Sequence, residues 1–274
     1  MQQTHYPKHL LRLGLTESTL LACFVNDLIN ETNEMVKKEH SLVQWLLTTS
    51  GYYDDSVQGN AMHFNVHEAT QSPIFNAYFN RLIDICKSGK YDLHLCFHKG
   101  ITPEMKQILF QFFKTTPAQN INTQMRLPAF INQNCRILII NNIASLMKEQ
   151  FENGNAFKAN PHFPTNVKSI IAINTLHIIA NQGPHHSILE TADFICNQIK
   201  QQEHEFDGCI VSVGAYSALI ADFIVTELHK EVYVIGGELH GFFGIKNNRN
   251  KLQNTEPWFV TVPENLKPEN YKLV

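Results

Sequence analysis

The stretch from 206 to 249, FDGCIVSVGAYSALIADFIVTELHKEVYVIGGELHGFFGIKNNR, limits the possible folds of this chain more than any other. Ile210-Val211-Ser212-Val213 is a short apolar run closed by Gly214, and Val232-Tyr233-Val234-Ile235 is another closed by Gly236-Gly237. Between them, Tyr216 to Leu228 carries Leu219, Ile220, Phe223, Ile224 and Leu228 at spacings of three and four, the period of a helix with one broad apolar face. Strand, glycine turn, helix and strand in that order form a right-handed crossover unit of a parallel sheet. The carboxyl ends of such strands are where open α/β sheets place ligands. Glycine there permits a positive φ or a close approach of a ligand to the backbone, and a tight turn without any ligand uses the same residue.

The rest of the chain continues the alternation. Leu10 to Glu34 is periodic and begins with a helix that includes Thr19, Leu20, Leu21, Phe24, Val25 and Ile29, and Val43 to Leu47 belongs to a second, short one. Residues 59–71, GNAMHFNVHEATQ, lack a period and gather His63, Asn65, His67 and Glu68 in a loop ahead of a helix with Ile74, Phe75, Tyr78, Phe79, Leu82 and Ile83. Tyr91 to Phe97, Arg136 to Ile140 and Ser169 to Ile173 read as strands; Glu104 to Phe113, Ile143 to Phe151 and Ser187 to Gln201 read as helices. The pattern predicts an α/β fold, a Rossmann-like three-layer sandwich around a mostly parallel sheet, with at least five strands near 93, 137, 170, 210 and 233. A single domain over 1–274 is expected, with the polar segment KTTPAQNINTQ marking where two lobes could meet, near 115–130.

Composition narrows the partners. With 22 basic and 25 acidic residues the formal charge is -3, and the longest basic cluster is Lys37-Lys38, so a nucleic-acid groove is not expected. The 6 cysteines form no C-x-x-C pair and read as reduced, buried thiols. No apolar run is long enough for a transmembrane segment, and MQQTHYPKHLLRLG lacks the pattern of a signal peptide; a cytoplasmic protein is the expectation. Among the 14 histidines there is no H-E-x-x-H, and no metal site is assigned.

Neither GxGxxG nor GxxxxGK[ST] occurs, which disfavours an ordinary dinucleotide fingerprint and a Walker-type phosphate grip. Val213-Gly214-Ala215-Tyr216 remains a candidate for holding a diphosphate, with Tyr216 covering a base or sugar face or, alternatively, anchoring the helix from the core.

GAYSALIADFIVTELHKEVYVIGGELHGFFGIKNNR resembles a stretch of bacterial and viral polysaccharide-cluster proteins that runs G-A-Y, a helix, a lysine before a strand, G-G-x-x-Q-x-x-F-G-I and K-x-R-W. CRILIINNIASLMKEQF, from Cys135 to Phe151, resembles a strand and helix of the same proteins, and Arg12-Leu13-Gly14-Leu15-Thr16-Glu17 resembles the R-x-G-D-x-E segment of glycosyltransferases with the GT-D fold. The resemblance implies a Rossmann-like fold and transfer of a sugar from a nucleotide-sugar donor to a glycan or other hydroxyl acceptor. It places Gly214, Tyr216, Gly236, Gly237 and Arg249 on the donor side, with Glu17, His63 and Asn65 near the reacting atoms.

Three positions depart from the pattern: Leu15 stands at the first acid of D-x-E, His240 at the glutamine and Asn250 at the tryptophan. Loss of that acid removes a hard oxygen ligand for Mg²⁺ or Mn²⁺. The expectation is therefore no metal in the free protein, with Mn²⁺ or Mg²⁺ arriving, if at all, with the donor diphosphate. Sugar transfer needs a stabilised leaving diphosphate and, for inversion, a general base. Arg12 and Arg249 are the candidate cations, with Lys246 behind them, and His63, His67, Glu68, Glu238 and His240 are alternative bases. Glu17 also fits an acid in a first helical turn. The competing readings are a binding module of the same fold that recognises nucleotide or glycan without transfer, and a nucleotide hydrolase.

Overall fold

The computed structural model describes residues 9–30, 72–97, 102–115, 127–131, 135–176, 184–246 and 258–263. The expected helix at Val43 to Leu47, the 59–71 loop with His63 and Asn65, Arg249, and most of the 115–130 segment lie outside the described residues.

In chain order the named elements are β1 (Leu10–Leu13), α1 (Leu15–Asn30), α2 (Pro73–Lys87), β2 (Asp92–Leu95), α3 (Pro103–Phe112), β3 (Arg136–Asn141), α4 (Ala144–Glu152), α5 (Asn155–Ala159), β4 (Ser169–Asn174), α6 (Ile188–Gln201), β5 (Gly208–Val211), α7 (Ser217–Thr226), β6 (Glu231–Val234) and α8 (Glu238–Phe242). Six strands form one parallel sheet in the order β2-β1-β6-β5-β3-β4. This is the Rossmann-like α/β sandwich that the alternation predicts.

One strand differs from the sequence reading. Leu10–Leu13 pairs with β2 through Leu10↔Asp92 to Leu13↔Leu95, and touches β6 at Leu10↔Tyr233. With no polar break before the helix, its leucines merge into the helical period that follows. Gly14 is the only residue between β1 and α1.

The sheet is covered on both sides because its strands present apolar residues to both. Leu11, Leu13, Leu138, Ile140, Cys209, Val211, Val232 and Val234 join α1, α2, α3, α6 and α7 in one core; Leu10, Ile137, Ile139, Ile210 and Tyr233 join α4, α5, residues 127–131 and Leu239 of α8 in the other. Period-two alternation along strands buried on both faces sorts these residues. The helices begin where local chemistry allows. Ser72 accepts the Phe75 amide at 3.1 Å ahead of Pro73, and Ser187 accepts the Glu190 amide at 3.3 Å while Glu190 reaches back to accept the amide of His186, the residue before the cap, at 2.7 Å.

The chain leaves β1 and β5 toward one face, through α1 and α7, and leaves β6 toward the other, through α8. Loops that diverge above adjacent strands open a crevice at their carboxyl ends. Three glycine turns, at Gly14, Gly214 and Gly236-Gly237, surround that point.

Candidate functional site

Arg12 is the third residue of β1, on the same face as Leu10, and its guanidinium crosses to β6. Its Nη2 donates to Glu238 Oε1 at 3.1 Å, with the Arg12 side chain 14% exposed and that of Glu238 25%. Glu238 is the first residue of α8, immediately after Gly236-Gly237. Its second oxygen, Oε2, is buried with no hydrogen-bond partner among the described residues.

Gly236 admits this pair. A Cβ at that position would lie 2.0 Å from Arg12 Nη1 and 2.7 Å from Glu238 Oε2. The close backbone approach that glycine permits is thus occupied by the protein's own side chains. The Gly236 carbonyl in turn accepts the Ser212 hydroxyl at 3.1 Å, tying the turn after β6 to the turn after β5.

Gly14 has a parallel role toward Glu17. A Cβ at Gly14 would fall 2.3 Å from Glu17 Oε2. The carboxylate folds back on the first turn of α1, where it interacts with the Gly14 amide and its own amide. Glu17 is the third residue of α1, so this is the acid half of a capping box, with glycine in place of the usual hydroxyl residue. Glu17 is 7% exposed, and burial pushes its carboxyl above the ordinary value, against the lowering effects of its own amide, the Arg12 charge and the Gly14 amide.

Cys96, at the end of β2, completes the group. Burial raises its thiol, the Arg12 charge lowers it, and the guanidinium is within hydrogen-bonding reach. No motif marked Cys96; it follows an apolar strand and comes beside Arg12 only because β2 pairs with β1, Leu13↔Leu95 being the adjacent register pair.

The turn after β5 is held from the other half of the chain. Tyr78 of α2 donates to the Ala215 carbonyl at 2.9 Å, and Ser217 Oγ accepts the Val213 amide at 3.2 Å. Gly214 takes φ 63, the left-handed conformation that favours glycine. Gly237 has φ -62 and ψ -4, which any residue adopts. Tyr216 is 2% exposed within the core under α7, so its ring is not presented to a ligand. His240 is half-buried in α8, two residues from Glu238, a spacing that puts the two side chains on different sides of a helix.

The structure therefore brings together Arg12, Gly14, Glu17, Gly236 and Glu238, with Gly214 and Gly237 on the adjoining turns. It does not gather Tyr216 into that group, and His63, Asn65 and Arg249 lie outside the described residues. Among the described residues no group of three or more His, Cys, Asp and Glu side chains is arranged to hold a metal ion. Glu17 faces an amide and Glu238 faces a guanidinium. That set does not fit a divalent ion, because Arg12 already supplies the positive charge beside both acids.

Comparison with protein-family models, with curated proteins and with solved structures gave no match to this chain. No helix among the described residues is long and apolar enough to cross a membrane.

Proposed function

We propose that the chain is a glycosyltransferase-like protein that takes a nucleotide-sugar at the carboxyl ends of β1, β6 and β5 and passes the sugar to a glycan or other hydroxyl acceptor. The observation that carries this reading is the Arg12 guanidinium, set between the Gly14 and Gly236 turns in the crevice where the loops after β1 and β6 diverge. A leaving diphosphate needs fixed positive charge in a site of low dielectric, and a planar guanidinium matches phosphate oxygens in two-point fashion. The Gly214 and Gly236 turns supply backbone close to the same crevice, where a ligand's phosphates and sugar could lie.

A second reading has its own support. The back-folded, buried Glu17 carboxylate is engaged as a helix cap, and Leu15 beside it is 45% exposed in place of an acid. Both features favour a module that binds a nucleotide or glycan without transferring it. Calorimetry across UDP-, GDP-, CMP- and TDP-sugars, with and without Mn²⁺, decides between them. Binding of one donor accompanied by slow donor hydrolysis supports transfer; binding without any turnover supports the module; no binding of any donor removes transfer and leaves the module, with glycan as its ligand.

A further inference from the structure

We infer that Glu238 is an internal latch on Arg12, an intramolecular competitor that a phosphate-bearing ligand must displace to reach the guanidinium. The inference rests on the reading of Arg12 as the phosphate contact. The pair is joined at one point, Nη2 to Oε1 at 3.1 Å, although a guanidinium and a carboxylate can pair through two parallel bonds. The other carboxylate oxygen is buried with no partner among the described residues, a state that costs free energy as long as the latch is closed. Opening the pair returns that oxygen to solvent or to a donor group on the ligand.

The two partners differ in how firmly they are held. Arg12 belongs to a strand with a paired neighbour on each side, and its guanidinium lies among Glu238, Glu17 and Cys96. Glu238 heads a five-residue helix that follows two glycines. Arg12 is the more firmly anchored partner and Glu238 the more movable one. An incoming phosphate offers the guanidinium the two-point contact that Glu238 does not make, while Glu238, freed beside it, can accept a hydroxyl from the same ligand.

The test uses inorganic phosphate and inorganic pyrophosphate as probes, with calorimetry on the full chain. Glu238→Gln is expected to bind pyrophosphate about tenfold more tightly than the parent, the equivalent of one charge-assisted contact. Arg12→Ala combined with Glu238→Gln should lose the whole gain, which separates a latch from a general effect of removing one negative charge. Glu238→Ala serves as the second variant if the glutamine form does not fold, and circular dichroism checks each. A gain with phosphate equal to that with pyrophosphate assigns a single-phosphate site; a larger gain with pyrophosphate assigns a diphosphate site. Unchanged or weaker binding in Glu238→Gln, or a gain that survives Arg12→Ala, overturns the latch. Nucleotide-sugar binding by the parent is scored separately, so a latch without donor affinity leaves this inference standing and removes the transferase reading.

Discussion

Replacing Gly236 with alanine tests whether this glycine is there to admit Arg12 and Glu238. The new Cβ would lie 2.0 Å from Arg12 Nη1, 2.7 Å from Glu238 Oε2 and 3.0 Å from the Arg12 guanidinium carbon. The backbone poses no obstacle, because the glycines with positive φ among the described residues are Gly89, Gly154, Gly214 and Gly244. All three obstructing atoms are ends of flexible side chains, so they swing aside and the ion pair is lost while the strand persists. A hydrogen bond to a charged group contributes about 1.5–3 kcal/mol, and partial exposure of both partners lowers this to about 1–2 kcal/mol. Alanine offsets about 0.4–1 kcal/mol by restricting the unfolded chain, leaving a net loss of about 0–1.6 kcal/mol. Urea unfolding of the parent, Gly236→Ala, Arg12→Ala and the double variant closes a double-mutant cycle. Gly236→Ala should be neutral to slightly stabilising once Arg12 is gone, giving a coupling of about 1–2 kcal/mol, the contribution of the lost pair. An equal cost in both backgrounds would show that Gly236 serves something other than this pair.

Three further substitutions probe the frame around the site. Glu17→Gln removes a carboxyl whose folded-state value is raised above 4.5 by burial. Such a group penalises the fold while it is ionised, and the penalty fades as pH falls from above the raised value toward 4.5; the variant should be more stable than the parent above that window and lose its advantage below it, and an advantage that grows on acidification would refute the assignment. Gln150, 2% exposed, donates to the carbonyls of Phe243, Gly244 and Trp258 at 3.2, 3.2 and 3.1 Å, so Gln150→Met, which keeps the volume and removes the donor, should cost about 2–4 kcal/mol in denaturant unfolding. A cost near zero would mean those carbonyls find water. Gly214→Ala forces a side chain into φ 63 and should cost about 1–2 kcal/mol by the same measurement, whereas the backbone at Gly237, with φ -62, imposes no such penalty on alanine.

Local pattern alone determined much of this protein. The apolar runs at Ile210 and Val232, their terminal glycines and the helical period between them specify a parallel crossover, because each element's own periodicity records which side it buries. The strands near 93, 137 and 170 were legible for the same reason, and they lie at β2, β3 and β4. Leu10–Leu13 was not, since a strand of four residues with leucines on both faces has no period of its own before α1 begins one residue later. The site depended on what no local pattern holds. Arg12 and Glu238 are 226 positions apart and meet only because the sheet order puts β1 beside β6. Sequence marked Gly236 as a place of close approach; what approaches, a guanidinium and a carboxylate from the chain itself, was decided by that pairing. Tyr216 shows the converse, since an aromatic residue at a glycine turn reads equally as a ligand cover or a core anchor until α1, α6 and α7 pack around that turn and leave it 2% exposed. Periodicity is a property of neighbours along the chain, whereas a site at strand ends is a property of neighbours across the sheet, and only the tertiary fold sets which strands those are.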